Sequence, residues 1–167
     1  IMYNPHEGLI NQFLNLFGIA SINWLGTNDL ALPSVGIVGV WKNVGYFMVI
    51  YIAAILDIPP ELYEASRVDG ASRIQQFRHI TLPMLRHITF LVVTLGTIWS
   101  FQVFDLVYIM TGGGPGKATV TLVTTIYNAA FREYKMGYAC AMAMLLFVII
   151  VFISILQQLL HRRQNRI

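Results

Sequence analysis

Charge is what this chain has least of. Only 11% of its 167 residues are Asp, Glu, Lys or Arg, while 56% are hydrophobic. A soluble domain carries about 25% charged residues. With a mean hydropathy of +0.63, the shortage excludes an ordinary soluble domain and indicates a membrane protein. Cysteine is also scarce. Cys140 stands alone, so no internal disulfide can form. The net charge of +3 is too small to indicate a nucleic-acid partner. His6, His79, His87 and His161 are scattered and form no metal-ligand cluster. No Ser/His/Asp or paired-carboxylate arrangement stands out, so the reading is of a chain that is not an enzyme, with no metal and no cofactor of its own. The first residue is Ile and no signal-peptide pattern precedes the first apolar run. The expectation is a fragment or truncated product whose upstream spans are missing.

What the chain does have is three long apolar runs, 34–56, 84–110 and 137–160. At about 1.5 Å per residue each is long enough to cross a hydrocarbon core of about 30 Å. The expected fold is therefore all-α, a polytopic transmembrane bundle with three spans present. Residues 1–33 read as an outer-side segment and 34–167 as the membrane domain. Leu9, Phe13, Leu16 and Phe17 recur near helical spacing between Gly8 and Ile22, giving an amphipathic helix at an interface. Asn23 to Pro33 reads as a turn-rich loop, with Trp24 at headgroup level. Thr111 to Met136 reads as a polar loop. Its TGGGPGKAT segment brushes against a phosphate-binding loop but has Thr111 where Gly is needed and Ala118 where Ser or Thr is needed. Gly112 to Gly116 is expected to form a turn instead.

Basic residues give the orientation. Arg67, Arg73, Arg78, Arg86, Arg162, Arg163 and Arg166 fall on one side, against Lys117, Arg132 and Lys135 on the other. The 57–86 interval and the C-terminus are thus expected in the cytoplasm.

The polar interval 57–83 is the most patterned stretch. Pro60 suits a first helical turn, and Glu61 and Glu64 lie near its positive end. Leu62, Ala65 and Ser66 share a face by i, i+3, i+4 spacing. Gly70 permits a left-handed stop, Ser72 can cap a second helix in which Ile74 and Phe77 share a face, and Pro83 is expected to open the next span. Glu64-Ala65-Ser66, three residues, Gly70, nine residues, then Ile80-Thr81-Leu82-Pro83 closely resembles the EAA motif of binding-protein-dependent ABC importer permeases. Ser66 alone departs, standing where the motif has Ala. Ile22-Asn23-Trp24-Leu25, Phe101-Gln102-Val103-Phe104-Asp105 and Met110-Thr111-Gly112-Gly113-Gly114-Pro115 extend the similarity to permeases of sugar and glycerol-3-phosphate importers, across nearly the whole chain.

That resemblance implies the C-terminal part of a maltose-type permease that usually has at least six spans, in a bacterial or archaeal plasma membrane. It implies a second permease subunit, two cytoplasmic ATPase subunits that bind and hydrolyse the ATP, and an extracytoplasmic solute-binding protein. Glu64, Ala65, Ser66, Gly70, Leu82 and Pro83 would couple to the ATPase: Glu64 as polar contact, Ala65 and Ser66 as close-packed face, Gly70 as turn. The alternative is a truncated or non-transporting membrane scaffold, which need not bind an ATPase.

Polar residues inside apolar runs mark a second region. Lys42 lies about 12 Å from the outer end of its run, where a lysine is costly to insert. Asp105 falls at similar depth on the neighbouring run. Trp41, Asn43 and Phe47 cluster with Lys42, and Ser100, Gln102 and Phe104 with Asp105. Aromatic faces beside amides and hydroxyls suit carbohydrate, and in the resembled maltose system substrate contacts come from these regions. The small residues Gly137, Ala139, Ala141 and Ala143 are expected to pack helices closely.

Overall fold

The computed structural model describes residues 3–5 and 7–164. His6, Arg166 and the side chain of Arg163, all invoked above, lie outside the described residues. Regular structure among the described residues is entirely helical. Among the described residues two helices are long and apolar enough to cross a membrane: α2 (Asn28–Leu56) and α9 (Met136–Gln164). A bent pair makes a third if counted as one span.

Several boundaries differ from the apolar runs, each for a physical reason. Helix α2 starts at Asn28, so the end of the expected loop 23–33 is helical. Thr27 accepts the first intrahelical bond, from Ala31 N–H at 3.0 Å. Pro33 is accommodated inside α2; it lies close enough to the start that one lost i→i−4 bond is tolerated. The second apolar run is not one helix. α6 (Arg86–Phe101) stops, the chain unwinds at Gln102 to Phe104, and α7 (Asp105–Met110) follows.

Pro83 does not open α6 either. It lies in α5 (Leu82–Met84), which continues from α4 (Arg73–Gln76) through a wide π-turn, Phe77–Thr81. The chain then bends by 62° between Met84 and Arg86. A π-turn and a proline are the two common causes of a sharp helix kink, and here they are adjacent.

The expected loop 111–136 also contains a helix. α8 (Leu122–Tyr127) begins at Thr121, whose hydroxyl accepts from Thr124 N–H while the Thr124 hydroxyl returns the contact to Thr121 N–H, and runs on into a π-turn, Asn128–Arg132. Its apolar positions Leu122, Ile126 and Ala130 keep helical spacing. Polar composition and β-branched residues hide that period.

The chain forms two compact units: residues 1–41 with 100–150, and residues 42–99 with 151–167. In the first, α1 (Leu9–Leu16) ends before Gly18, whose φ of +75° needs glycine. This helix is turned opposite to a surface helix of a soluble domain. Leu9, Phe13 and Leu16 are exposed, and Asn11 is buried. The Asn11 amide donates to Pro5 O (3.0 Å) and Ile22 O (2.8 Å), while its Oδ1 accepts from Ile22 N–H (3.2 Å) and the Trp24 indole N–H (2.9 Å). Trp24 is thus fixed by a bond to Asn11. The buried alanines Ala129, Ala130 and Ala139 pack together, so of the small residues on α9 it is Ala139 that makes a close contact. Gly137, Ala141 and Ala143 are exposed.

In the second unit, the Tyr51 hydroxyl donates to Thr89 Oγ1 (3.2 Å) and the Gln157 amide to Thr97 Oγ1 (2.9 Å). Both bonds join α6 to another long helix. Most large apolar side chains elsewhere on α2 and α9 are exposed, as expected of a chain whose solvent is lipid or further helices.

Asn11→Ala removes the acceptor of two donors and the donor to three carbonyls, those of Asn4, Pro5 and Ile22. Each orphaned buried group costs about 1–3 kcal/mol. With Trp41 and Trp99 replaced by Phe, Trp24 emission should shift to the red and proteolysis between Phe17 and Trp24 should accelerate. Unchanged emission would show that the Asn11 bonds do not hold this segment.

Candidate functional site

The polar interval folds as a tight helical hairpin. α3 (Pro60–Val68) begins on Pro60 with Glu61 in its first turn and ends at Asp69. Gly70 then adopts φ +79°. Gly70 N–H donates to Arg67 O (3.0 Å) and Ala71 N–H to Ser66 O (2.9 Å), the paired bonds of a glycine-terminated helix. Two residues later Ser72 starts α4 with a full capping box: Gln75 N–H donates to Ser72 Oγ at 3.4 Å and Ser72 N–H to Gln75 Oε1 at 2.7 Å. Stop and start signals are therefore both local to 66–75.

A side-chain clasp locks the two arms. Gln76 is buried, and its amide donates to Ser66 Oγ (2.8 Å) and to Tyr63 O (3.2 Å). Ser66 Oγ in turn donates to Tyr63 O (2.9 Å), and the Tyr63 hydroxyl meets the buried Thr81 Oγ1 at 2.8 Å. Ser66, the one departure from the motif, thus faces inward and bridges the arms. It does not present a bare small face with Ala65. Glu64 and Ala65 are exposed, as are Leu62, Val68, Ile74, Phe77, Leu82 and Pro83. Ile74 and Phe77 do both face outward. Beside the hinge, Asp69, Gly70, Ala71, Gln75, Gln76 and His79 line a recess of about 300 Å³. Tyr63, Gln76 and Thr81 were missed by motif spacing. Gln76 sits in the spacer of the pattern, and only its burial reveals it.

The second predicted constellation divides between the units. Trp41, Ser100, Gln102, Phe104 and Asp105 belong to one, and Lys42, Asn43 and Phe47 to the other. In the second unit Phe47 packs on Trp99 with ring centroids 5.4 Å apart, and Tyr46 on Trp99 at 5.1 Å. In the first unit Ser100, Gln102, Phe104 and Asp105 bracket the unwound turn. Its Val103 carbonyl accepts from Thr121 Oγ1 at 3.1 Å. Phe104, Tyr108, Tyr127 and Phe131 form a continuous aromatic chain with centroids 5.0–5.4 Å apart, and Arg132 covers Tyr108 at 5.9 Å. The spacing of Phe104 with Tyr108 and of Tyr127 with Phe131, each four apart, is a helical signal that charge-based reading passed over. The hydrogen bond that the Tyr127 phenol donates to Tyr108 holds Tyr127 above its ordinary pKa. The Glu133 carboxylate, 2.9 Å from Lys135 Nζ, raises that ammonium. Gly112 to Gly116 does form a turn, pinned by the buried Thr119, whose hydroxyl lies 2.7 Å from Thr111 Oγ1 and donates to Gly114 O at 2.8 Å.

Residues 8–166 match the model of the family described as binding-protein-dependent transport system inner membrane component. The chain belongs to this family. It is 45% identical over 158 residues to the probable ABC transporter permease protein YurN of Bacillus subtilis, and 39% identical over 158 residues to the trehalose/maltose transport system permease protein MalF of Thermococcus litoralis. Each alignment covers 93% of this chain and 54% or 52% of the relative, so the chain spans about half the length of these curated relatives. Its fold is similar to one in the crystal structure of a bacterial ABC transporter involved in the import of the acidic polysaccharide alginate. The TM-score is 0.85 at 25% identity, covering 97% of this chain and 57% of that one. These relatives are transport permeases. In this member of the family the motif-bearing interval is the clasped hairpin, and the predicted pathway residues 100–105 lie at a broken helix.

The clasp makes an ordered prediction. Gln76→Leu removes the buried amide and both its bonds and should cost about 1–3 kcal/mol, whereas Ser66→Ala, restoring the motif residue, leaves the Gln76–Tyr63 bond and should cost about 1 kcal/mol. Thermal unfolding and proteolysis at Gly70-Ala71 of the solubilised protein would rank them. A larger loss in Ser66→Ala would overturn the assignment of Gln76 as the lock.

Proposed function

We propose that this chain is the permease subunit, or the C-terminal part of one, of an ATP-driven importer for a carbohydrate or sugar phosphate, and that the 57–83 hairpin couples it to a cytoplasmic ATPase. The observation that carries the reading is the clasp. An element that receives a push must move as a body, and the Tyr63–Ser66–Gln76–Thr81 bonds make two short helices one body. Its exposed apolar residues, Leu62, Val68, Ile74 and Phe77, with Glu64 beside them, are what a docking groove would grip. At its far end the 62° bend passes any displacement directly into α6. Glu64 and Ala65 contact the ATPase, Gly70 sets the angle between the arms, and Leu82 and Pro83 carry the motion to the span.

The translocated solute passes the unwound turn at Gln102 to Phe104. Irregular backbone at membrane depth is tolerated only inside protein or along a wet cavity, and broken helices mark binding sites in many transporters. Ser100, Gln102, Phe104 and Asp105 at and beside that turn supply a hydroxyl, an amide, a ring and a carboxylate of the kinds carbohydrate recognition uses, and Trp41, Lys42, Asn43 and Phe47 of α2 are proposed as pathway residues in their own right. In this reading Lys42 and Asp105 face the interior. The partners are a second permease, two ATPase subunits and an extracytoplasmic solute-binding protein, and the ATP belongs to the ATPases. The 57–86 side and the C-terminus lie in the cytoplasm, with residues 1–33 outside. Carbohydrate is the favoured solute class because the trehalose/maltose and alginate systems are among its relatives.

Gly70→Pro tests the coupling role. Proline fixes φ near −65° where the hairpin needs +79°, and it deletes the donor to Arg67 O. In the reconstituted complete transporter, uptake should fall to background and ATP hydrolysis should lose its response to loaded binding protein, with membrane insertion intact. Undiminished uptake would sink the coupling role. Radiolabelled uptake over a panel of sugars and glycerol 3-phosphate identifies the solute class.

A further inference from the structure

The histidines are scattered along the sequence, and folding brings two of them together. His87, in the first turn of α6, and His161, near the end of α9, are 74 residues apart in the chain, yet His87 Nδ1 lies 3.5 Å from His161 Nε2. Both residues belong to one compact unit. His87 stands just past the 62° bend through which the hairpin joins α6. It is exposed, and both rings lie at the ends of their apolar runs, at the edge of the hydrocarbon where water reaches. His161 stacks on Phe90 with ring centroids 4.3 Å apart and planes 13° from parallel. Phe90 is one turn beyond His87 on the same helix, so α6 both carries one imidazole and orients the other.

As a hydrogen bond this contact is poor. An N–H donor normally lies about 2.9–3.0 Å from its acceptor, and 3.5 Å is at the outer limit. As the bite of a metal site it is good. Two imidazole nitrogens, each about 2.0–2.1 Å from one tetrahedral ion, stand about 3.3 Å from each other. Both rings stay neutral on binding: His87 keeps its proton on Nε2 and His161 on Nδ1, and the facing nitrogens each give a lone pair to the ion. Imidazole suits Zn²⁺, Cu²⁺ and Ni²⁺, whereas Mg²⁺ and Ca²⁺ take oxygen ligands. No third His, Cys, Asp or Glu completes a ligand set among the described residues. Water therefore fills the remaining positions, and the nearby Arg86 charge, which acts on His161, opposes a cation. Such a site fills and empties with the free ion, unlike a structural site closed by four protein ligands.

We propose that His87 and His161 form a reversible transition-metal site, suited to Zn²⁺, that clamps the start of α6 to the end of α9. An ion held there ties down the first turn of the span that the hairpin has to move, and so slows import. That consequence rests on the coupling role of the hairpin given above; the binding of the ion does not.

The test uses the complete transporter, stripped of metal and dialysed against radioactive Zn²⁺ near neutral pH. His87→Ala, and His161→Phe, which keeps a ring on Phe90, should each bind one ion fewer per chain than the parent. The double variant should lose that same single ion. Equal zinc content in parent and variants overturns the site. A double variant that loses two ions also overturns it, since the histidines would then hold ions separately. In proteoliposomes, Zn²⁺ on the side that receives ATP should slow uptake several-fold in the parent and leave the variants at the parent's metal-free rate. Equal slowing in parent and variants, or binding with no slowing in the parent, overturns the clamp. Failure of the coupling role is read separately, from Gly70→Pro in the absence of metal.

Discussion

The constraint on which this structure depends is that a backbone group stripped of its helical partner has no water to turn to in a membrane. Several of the places where a described helix stops carry a substitute bond, in the apolar runs and in the polar hairpin alike. The unwound turn after Phe101 returns one carbonyl, Val103 O, to Thr121 Oγ1. The end of α3 is closed by Gly70 and Ala71 N–H, and the start of α4 by Ser72 and Gln75. The glycine turn after α7 is folded over the buried hydroxyl of Thr119. Polar residues in this apolar chain are placed mainly where the main chain bends, and the same places are where its proposed functions fall.

That coincidence gives the two regions different mechanical characters. The hairpin is overdetermined: caps fix both arms, and a four-residue clasp fixes the angle between them. The broken turn carries the Thr121-to-Val103 bond and is flanked by stacked rings, which can slide at small cost compared with a hydrogen-bonded ladder. Under the proposed function, the stiff hairpin is the lever that feeds a span and the turn in the following apolar run is the part that adjusts. The bend after Met84 joins lever to span without a flexible linker.

Much of this was legible in the residues. The apolar runs locate α2 and α9, and the Glu64-to-Pro83 spacing locates the hairpin, including the left-handed Gly70 and the Ser72 cap, because helix stops and starts are written in adjacent residues. Other features were hidden. α8 lies in a stretch whose threonines and asparagine mask its period, and its start depends on Thr121 and Thr124 capping one another. The break at Gln102 to Phe104 interrupts a run apolar enough to be one helix, since hydropathy does not register where a carbonyl finds another partner. Gln76 sits in an unremarked spacer, and its importance comes from contacts made thirteen and ten residues back along the chain.

By itself the sequence determined the solvent of this protein and its local punctuation. Too little charge and too many consecutive apolar residues dictate a membrane, and Pro60, Gly70 and Ser72 dictate where short helices begin and turn. Tertiary structure decided which faces look inward. It turned Asn11 inside and Leu16 outside, made Ser66 a bridge where the motif has a plain small residue, and joined Gln157 to Thr97. Such choices depend on which distant group supplies a hydrogen bond in a medium without water, and helical periodicity carries no record of that.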